Sequence, residues 1–371
     1  MASTDGRTPG THPLATRRPI PPPLPWTDGI RALACLCVVW WHALLTVVPS
    51  DPTAAQRLLV LPLGGAARAS VLVFIVLSGY LLGRHWRPGL RRYLVRRSWR
   101  LLPPYWATVA LTVVAMAFLG LRNASGSHWD SGLPFTWERV AADLLLITDF
   151  TGEVPLSHQL WTIPVEFHLY FLAPLIVLLW RPRWLLAVAA LGTLAVVLLA
   201  PQHPAPFFVF AFMAAFFSGV RRQQLTSATP VVVLRLLAPL AAVGLAVGVV
   251  GFAAGTLGES QARYYLLDAA VAPLVLGLLL WGDLCAPHAA PLRWLTVRPL
   301  AWVGTRSYSI YLVHGLVLEL VWRALVRPLD LTDSPAIGTV AVLGTVASLA
   351  AGLALYLAVE RPSARRSAAV R

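Results

Sequence analysis

Two ionisable side chains, Arg31 and His42, lie eleven positions apart in an apolar stretch near the beginning of the chain. Eleven steps of about 100° amount to three helical turns plus roughly 20°, so both side chains share one helix face, about 16 Å apart along the axis. A guanidinium can hold a phosphorylated ligand, and a neutral imidazole can act as a general base. The pair therefore predicts a site along one helix, with a ligand-binding guanidinium at one end and a general base at the other. The structural alternative is a snorkelling arginine and a histidine in an interhelical hydrogen bond.

A carboxylate is the second candidate for chemistry. Glu166 lies in the apolar stretch 160–180, and Tyr170 follows at i+4 on the same helix face. An ionisable group inside a membrane-spanning helix is costly, which is typical of a functional site. We expect Glu166 to orient His42, to bind a substrate hydroxyl or to relay a proton. A pairing with His168 or with an arginine at a helix crossing is the structural alternative.

An arginine-rich segment, 91–106, precedes the next apolar stretch. Arg97 and Arg100 have i, i+3 spacing, which places them side by side on a helix. Such a pair can bind the diphosphate of a nucleotide such as coenzyme A. Ordinary anchoring of a membrane protein by cytosolic arginines is the alternative. Pro103 and Pro104 predict that the segment breaks before the following span.

The composition indicates the class of protein that must position these residues. The chain has 371 residues, of which 57% are hydrophobic and only 12% charged. A soluble domain needs about a quarter charged residues, and several apolar runs approach the roughly 20 residues that span a bilayer. We predict an all-α polytopic membrane protein with about ten transmembrane helices. The predicted spans are 29–49, 68–84, 104–121, 160–180, 184–200, 206–220, 230–252, 264–282, 300–326 and 336–358.

The distribution of arginines predicts the topology. All 30 cationic residues are Arg, and most flank apolar runs on one side of the predicted bundle, which places both termini in the cytosol. The net charge of +14 therefore does not indicate a nucleic-acid partner. We expect a disordered cytosolic segment at 1–27, a transmembrane domain at 28–360 and a short basic cytosolic tail at 361–371. The connection 122–159 is expected to contain an interfacial or re-entrant helix.

Together these stretches resemble the acyltransferase 3 family of integral-membrane acyltransferases. The resemblance covers the chain from Asp28 to Pro362 and follows the family order. Arg31 and His42 match the Arg-x10-His signature of its first span. The other matching residues are Ser78 and Gly79; Arg97, Arg100, Pro103 and Tyr105; Trp161, Glu166, Tyr170 and Pro174; the segment SYSIYLVH at 307–314; and the segment ERP at 360–362.

The resemblance implies transfer of an acyl group, usually acetyl, from cytosolic acyl-CoA to a hydroxyl of a sugar, glycan or glycosylated natural product. The protein would be a multi-pass protein of the plasma membrane. The donor co-substrate would be acyl-CoA, and in the first place acetyl-CoA. We expect no permanently bound cofactor. No His, Cys or carboxylate set has metal-ligand spacing, so we expect no metal.

Roles for individual residues follow from the same resemblance. His42 would be the general base, and Glu166 would polarise His42 or the acceptor. The phosphates of the donor would contact Arg31, Arg97 and Arg100, and the substrate would contact Tyr170, Trp161 and Ser78. Many relatives have a histidine where this chain has Gln159, with His158 beside it, and we assign neither a catalytic role. Glu319 is also assigned no role.

Two other classes of function remain open. The same arginine, histidine and carboxylate could form the path of a proton-coupled transporter of a glycan or small molecule. The chain has no evident internal repeat, which argues against inverted-repeat transporters. A membrane scaffold would leave His42 and Glu166 unexplained.

Overall fold

The computed structural model describes residues 21–48, 54–86, 89–179, 206–229 and 262–370. All regular structure in these ranges is helical, which confirms the all-α class for this part of the chain. In chain order, the α-helices are α1 (Trp26–Val47), α2 (Ala54–Arg84), α3 (Leu90–Phe118), α4 (Trp137–Leu145), α5 (Thr148–Thr151), α6 (Thr162–Leu179), α7 (Pro206–Val220), α8 (Ala262–Leu284), α9 (Ala290–Trp294), α10 (Arg298–Gly304), α11 (Ser307–Val321), α12 (Asp333–Leu355) and α13 (Arg361–Ala369).

Six segments of the described chain are long and apolar enough to cross a membrane, and the helix Phe208–Val220 is apolar but shorter. The six are Trp26–Val47, Pro62–Arg84, Leu90–Phe118, Leu267–Leu284, Ser307–Val326 and Ser334–Ala369. The predicted spans 184–200 and 230–252 lie outside the described residues. The total of about ten spans and the cytosolic position of both termini therefore stay predictions.

The predicted break at Pro103 and Pro104 is wrong, because α3 continues through both prolines. Prolines in a helix remove backbone donors and leave nearby carbonyl groups without partners. The Tyr308 hydroxyl donates to the carbonyl of Leu101 at 2.9 Å. The carbonyl groups that lose their donors to the prolines are those of Trp99 and Arg100, so the bond from Tyr308 joins a neighbouring helix to α3 directly beside the disturbed backbone.

Both ends of the bundle are more regular than the sequence indicated. Helix α1 begins at Trp26, and Leu24 and Trp26 are buried in the core. Residues 1–20 of the predicted disordered segment lie outside the described residues, and helix α1 begins within its last two residues. At the other end, the basic tail forms α13, where the Ser367 hydroxyl donates to the carbonyl of Arg96 in α3 at 2.8 Å.

Helix α1 lies among α2, α10, α11 and α12 and contacts all four. It runs in the same direction as α11, since the Cys35 thiol meets the carbonyl of Ser307 at 3.6 Å and His42 meets His314 further along both helices. Residues at matching heights of α1 and α11 therefore face each other. This parallel pair forms one wall of the candidate site.

Helices α2 and α7 pack closely through glycine. A Cβ atom at Gly83 would lie 1.9 Å from the carbonyl oxygen of Phe216, and one at Gly79 would lie 2.6 Å from that of Phe212. Only glycine allows this backbone approach. The close packing fixes the height of Ser78, the residue before Gly79, in the interior of the bundle.

The connection after α3 contains short helices, as predicted. Helix α4 has nine residues and cannot span a bilayer. The Tyr105 hydroxyl and the Trp106 indole of α3 donate to the carbonyl groups of Asp143 and Leu144, each at 3.0 Å. These bonds attach the end of α4 to the side of the bundle.

Candidate active site

The His42 imidazole belongs to a chain of hydrogen bonds between α1 and α11. Nδ1 of His42 lies 2.7 Å from Nε2 of His314, and Nδ1 of His314 lies 2.6 Å from the carbonyl oxygen of Tyr311. A carbonyl oxygen only accepts, so Nδ1 of His314 carries a proton and its Nε2, in the neutral ring, accepts from His42. His42 is then protonated on Nδ1 and has its free lone pair on Nε2, which is the arrangement that a general base needs.

Two further histidines flank His42. The ring centroids of His128 and His158 lie 6.4 Å and 6.0 Å from that of His42, and 4.4 Å from each other. His128 belongs to the 3-10 helix His128–Gly132 and His158 to the 3-10 helix His158–Trp161. Four imidazoles from distant parts of the chain therefore meet at one place.

Three of these imidazoles, those of His42, His128 and His158, border a small, partly open cavity, which we call the histidine cavity. Its lining residues are His42, Thr46, His128, Trp129, His158, Gln159, Gly315, Leu318 and Glu319. No group of three or more His, Cys, Asp or Glu side chains in the described ranges is arranged to hold a metal ion.

Burial keeps the two flanking imidazoles uncharged. It lowers the pKa of His158 to about 3, with a further contribution from His128, and burial alone lowers the pKa of His128. Both rings are therefore neutral near pH 7, and each has one nitrogen that donates and one that accepts.

Glu166 lies in a second polar cluster, which we call the carboxylate cluster. One of its carboxylate oxygens accepts from the Ser78 hydroxyl at 2.9 Å and also from the Tyr170 hydroxyl. Three predicted site residues, from α2 and α6, thus meet as a hydrogen-bonded group. In the described chain Nδ1 of His42 lies against His314, and the role of Glu166 stays a prediction.

Two of the three predicted donor-binding arginines, Arg31 and Arg97, lie near this cluster, and Arg100 lies near both of them. The Arg97 guanidinium lies 5.7 Å from the Tyr170 ring centroid and interacts electrostatically with Glu166. Arg31 donates to Asp28 at 2.8 Å, and both Arg31 and Arg97 experience the charge of Arg100. Like charges that converge in this way favour an anionic ligand between them.

Tyr311 connects the two clusters. Its hydroxyl lies 2.9 Å from the Thr162 hydroxyl and donates to the carbonyl of Gln159, also at 2.9 Å, while its own carbonyl accepts from His314. Thr162 precedes Glu166 by one turn of α6, and His314 follows Tyr311 by about one turn of α11. The carboxylate cluster and the histidine cavity therefore lie at successive heights in the bundle, in the same order as Arg31 and His42 on α1.

Trp161 lies apart from both clusters. Its ring packs 6.2 Å from that of Phe208, and the Arg68 guanidinium lies 5.7 Å from the Trp161 ring centroid. Arg68 in turn forms a buried bidentate ion pair with Asp268. Contact between Trp161 and substrate stays a prediction.

The segment 120–132, which we call the roof segment, covers the histidine cavity and is attached to the end of α11. One Glu319 oxygen accepts from the Ser127 hydroxyl and the other from Nε of Arg323, each at 2.5 Å. The same arginine donates to the carbonyl groups of Gly120 and Asn123. Glu319 is therefore one of the residues that attach the roof segment, together with Trp322, whose indole donates to the carbonyl of Ser125 at 3.2 Å.

Sequence reasoning missed three residues that border the cavity: Glu319, His128 and His158. The signal for Glu319 was present, because it is a carboxylate in an apolar helix. The two histidines lie in irregular connections, where no helical periodicity relates them to His42. Only the tertiary contacts place them beside it.

Comparison with known proteins gives a consistent result. A model of the acyltransferase 3 family, described as an acyltransferase domain, matches residues 24–357. The peptidoglycan O-acetyltransferase OatA of Listeria monocytogenes is 25% identical over 344 residues, which cover 82% of this chain and 52% of that protein. The chain thus spans about half the length of this curated relative. No solved structure matches the chain. The family match covers most of the chain and includes His42, Glu166 and the three arginines, and so the chain belongs to the acyltransferase 3 family.

Proposed function

We propose that this protein is a membrane O-acyltransferase that moves an acyl group, in the first place acetyl, from acyl-CoA to a hydroxyl group of a sugar or glycan at the plasma membrane. Membership in the acyltransferase family and the name of the Listeria relative support the reaction class and a carbohydrate acceptor. The several apolar helices support the membrane setting.

His42 acts as the general base. Its Nε2 takes the proton of the acceptor hydroxyl while the hydroxyl oxygen attacks the thioester carbonyl carbon. The new C–O bond forms as the C–S bond breaks, and the His42 imidazolium returns the proton to the departing thiolate. The products are the ester and the free thiol, and the enzyme ends in its starting protonation state.

The arginines and the carboxylate cluster bind the donor. Arg31, Arg97 and Arg100 contact the phosphates of acyl-CoA, and the pantetheine chain passes Ser78, Glu166 and Tyr170 on its way to His42. The axial separation of about 16 Å between Arg31 and His42 suits a ligand with its charge at one end and its reactive carbon at the other. The hydroxyl and carboxylate groups between them can bond the pantetheine amides.

The observation that carries the proposal is the hydrogen-bond chain from the Tyr311 carbonyl through His314 to Nδ1 of His42. These hydrogen bonds use Nδ1 of His42. Its Nε2 forms no hydrogen bond with any described residue, and the ring lines the wall of the histidine cavity. A histidine that served only to join two helices would not need an open cavity beside it.

The test uses the full chain in proteoliposomes, labelled acetyl-CoA and a panel of neutral oligosaccharides, with ester formation followed by mass spectrometry. His42→Ala should lower kcat by about 10²- to 10⁴-fold, the usual contribution of a general base. His288→Ala, which changes an exposed histidine outside the site, is the matched control and should transfer normally.

Arg31→Ala tests donor binding separately, because it should raise the KM for acetyl-CoA more than it lowers kcat. Full activity of His42→Ala would disprove the assignment of the base. A wild-type protein that moves an oligosaccharide across the vesicle membrane without acetylating it would replace this function with transport.

A further inference from the structure

The polar side chains around the histidine cavity fall into two groups. Most already have partners inside the protein: the Gln159 amide donates to the carbonyl of Leu312 and accepts from the Ser157 hydroxyl, and the Thr46 hydroxyl donates to the carbonyl of His42. These groups hold the walls of the cavity. Their donor hydrogens are committed to the protein.

The imidazoles of His128 and His158 form the second group. Nε2 of His128 is buried without a hydrogen-bond partner in the described ranges, and the His158 ring contacts other imidazoles but forms no hydrogen bond with any described residue. Buried polar groups in proteins almost always have partners, so groups that lack one need a functional explanation. Nε2 of His128 is such a group, and it belongs to a ring that meets the His158 ring beside the proposed catalytic base, which points to a ligand.

We infer that His128 and His158 bind the acceptor, with hydrogen bonds that hold its hydroxyl groups beside Nε2 of His42, and that the acceptor is uncharged where it enters the histidine cavity. This inference rests on the proposed function, since it names the substrate class of the same site. It assigns binding roles to two residues for which the sequence indicated none.

The geometry suits a polyhydroxylated group. The centroids of His128 and His158 lie 6.4 Å and 6.0 Å from that of His42, which leaves room for an oxygen atom bonded to two of the rings. Each neutral imidazole offers one donor and one acceptor, and a sugar hydroxyl also donates and accepts. One hydroxyl of a sugar can therefore face His42 while a neighbouring hydroxyl bonds to His158 or His128.

The charges around the cavity favour a neutral acceptor. Among the described residues, Glu319 is the one acidic side chain that lines it, and both its oxygens are occupied by Ser127 and Arg323. The described lining contains no arginine. An anionic sugar would therefore lose its hydration without gaining a cationic partner.

The experiment measures KM for an acceptor pair that differs only in charge, a glucoside and the corresponding glucuronide, with acetyl-CoA as donor. Wild-type protein should acetylate the glucoside with at least a tenfold advantage in kcat/KM. His158→Ala and His128→Ala should each raise the KM for the glucoside about tenfold or more and leave the KM for acetyl-CoA unchanged. His158→Gln, which retains a donor and an acceptor, should recover part of the loss.

A measurement of thermal unfolding in detergent shows whether the variants are folded. The alanine variants should unfold close to the wild-type temperature, since the imidazoles that they remove form no hydrogen bond with any described residue. Unchanged KM values for the glucoside in folded variants, or an equal preference for the glucuronide, would overturn the inference while the acyltransferase function stood. Absence of ester formation by wild-type protein on every acceptor would instead overturn the proposed function.

Discussion

The histidine cavity and the cluster around Asp283 are both polar regions between apolar helices, but they differ in how their polar atoms are satisfied. The cluster consists of Tyr80, Arg84, Arg222 and Asp283. One Asp283 oxygen accepts from Tyr80 at 2.6 Å, Arg84 at 2.8 Å and Arg222 at 2.6 Å, and the other accepts from both arginines at 3.0 and 2.8 Å.

In the Asp283 cluster every carboxylate lone pair is used, whereas in the histidine cavity two imidazoles have no partner within the described chain. The first arrangement holds elements together: Asp283 connects α8 with α2 and with the turn after α7, and Arg84 also donates to the carbonyl of Pro22 at 2.6 Å. The histidine cavity, in contrast, retains polar groups that can bind a ligand. A polar side chain inside this bundle therefore does not by itself mark a functional site. A polar side chain without a hydrogen-bond partner is the better indicator.

The largest effect on stability is expected from Asp283→Ala. It leaves two arginines close together without their carboxylate, and the loss of one partner in a buried ion pair costs about 3–5 kcal/mol. Urea or thermal unfolding in detergent would measure the change. Glu138→Ala, at an exposed carboxylate, is the control and should change stability little. If Asp283→Ala were as stable as the control, full pairing would not indicate a structural role.

His314→Ala should have a large effect on activity. Without His314 the His42 ring is no longer held in one orientation and tautomer. We therefore expect kcat to fall about 10- to 100-fold, which is less than the fall expected when the base itself is removed. The KM for acetyl-CoA should stay near the wild-type value. His85→Ala is a matched control at an exposed histidine. A change in KM alone, with kcat preserved, would contradict the role of His314 in positioning the base.

Glu319→Gln should loosen the roof segment. The amide can still accept from Ser127 but no longer carries the charge that pairs with Arg323, and a hydrogen bond to a charged group contributes about 1.5–3 kcal/mol. Amide hydrogen exchange in residues 120–132 should become faster, while exchange in the core of α2 stays as in wild type. Equal exchange in the roof segment of both proteins would show that Glu319 does not hold it.

The smallest effect concerns Asp143, in α4 at the edge of the bundle. Burial raises the pKa of its carboxyl group to about 7, and the amide of Leu156 donates to it at 3.0 Å. Between about pH 4 and pH 7 the folded protein therefore binds more protons at this site than the unfolded chain, so this contribution to stability falls as the pH rises.

Asp143→Asn removes this dependence. When the pH is raised from 5 to 8, the melting temperature of the variant should fall less, or rise more, than that of wild type. The low pKa of His158 acts in the opposite sense, since its contribution is lost as the pH falls below about 6.5. Wild type and variant with identical pH profiles would contradict the raised pKa of Asp143.

The sequence by itself determined the helical membrane class and the identity of many polar residues inside it. Apolar runs of sufficient length can satisfy their backbone in a bilayer only as helices or closed barrels, so composition and run length predict the fold class. Helical periodicity also places Arg31 and His42 on one face, and Glu166 and Tyr170 on another. Such predictions need only local geometry, and the hydrogen bond between Glu166 and Tyr170 agrees with them.

The contacts between these polar residues follow from the tertiary structure and could not be predicted from the sequence. The partner of His42 is His314, 272 positions away, and the rings of His128 and His158 reach the same cavity from irregular connections. Likewise, α3 continues through Pro103 and Pro104 where local rules predict an end, while a hydroxyl from α11 donates to a carbonyl beside them. The physical reason is the same in each case. A side chain's type and helical phase are local properties, but the partner that satisfies a buried polar group is chosen by the packing of helices that are distant in sequence.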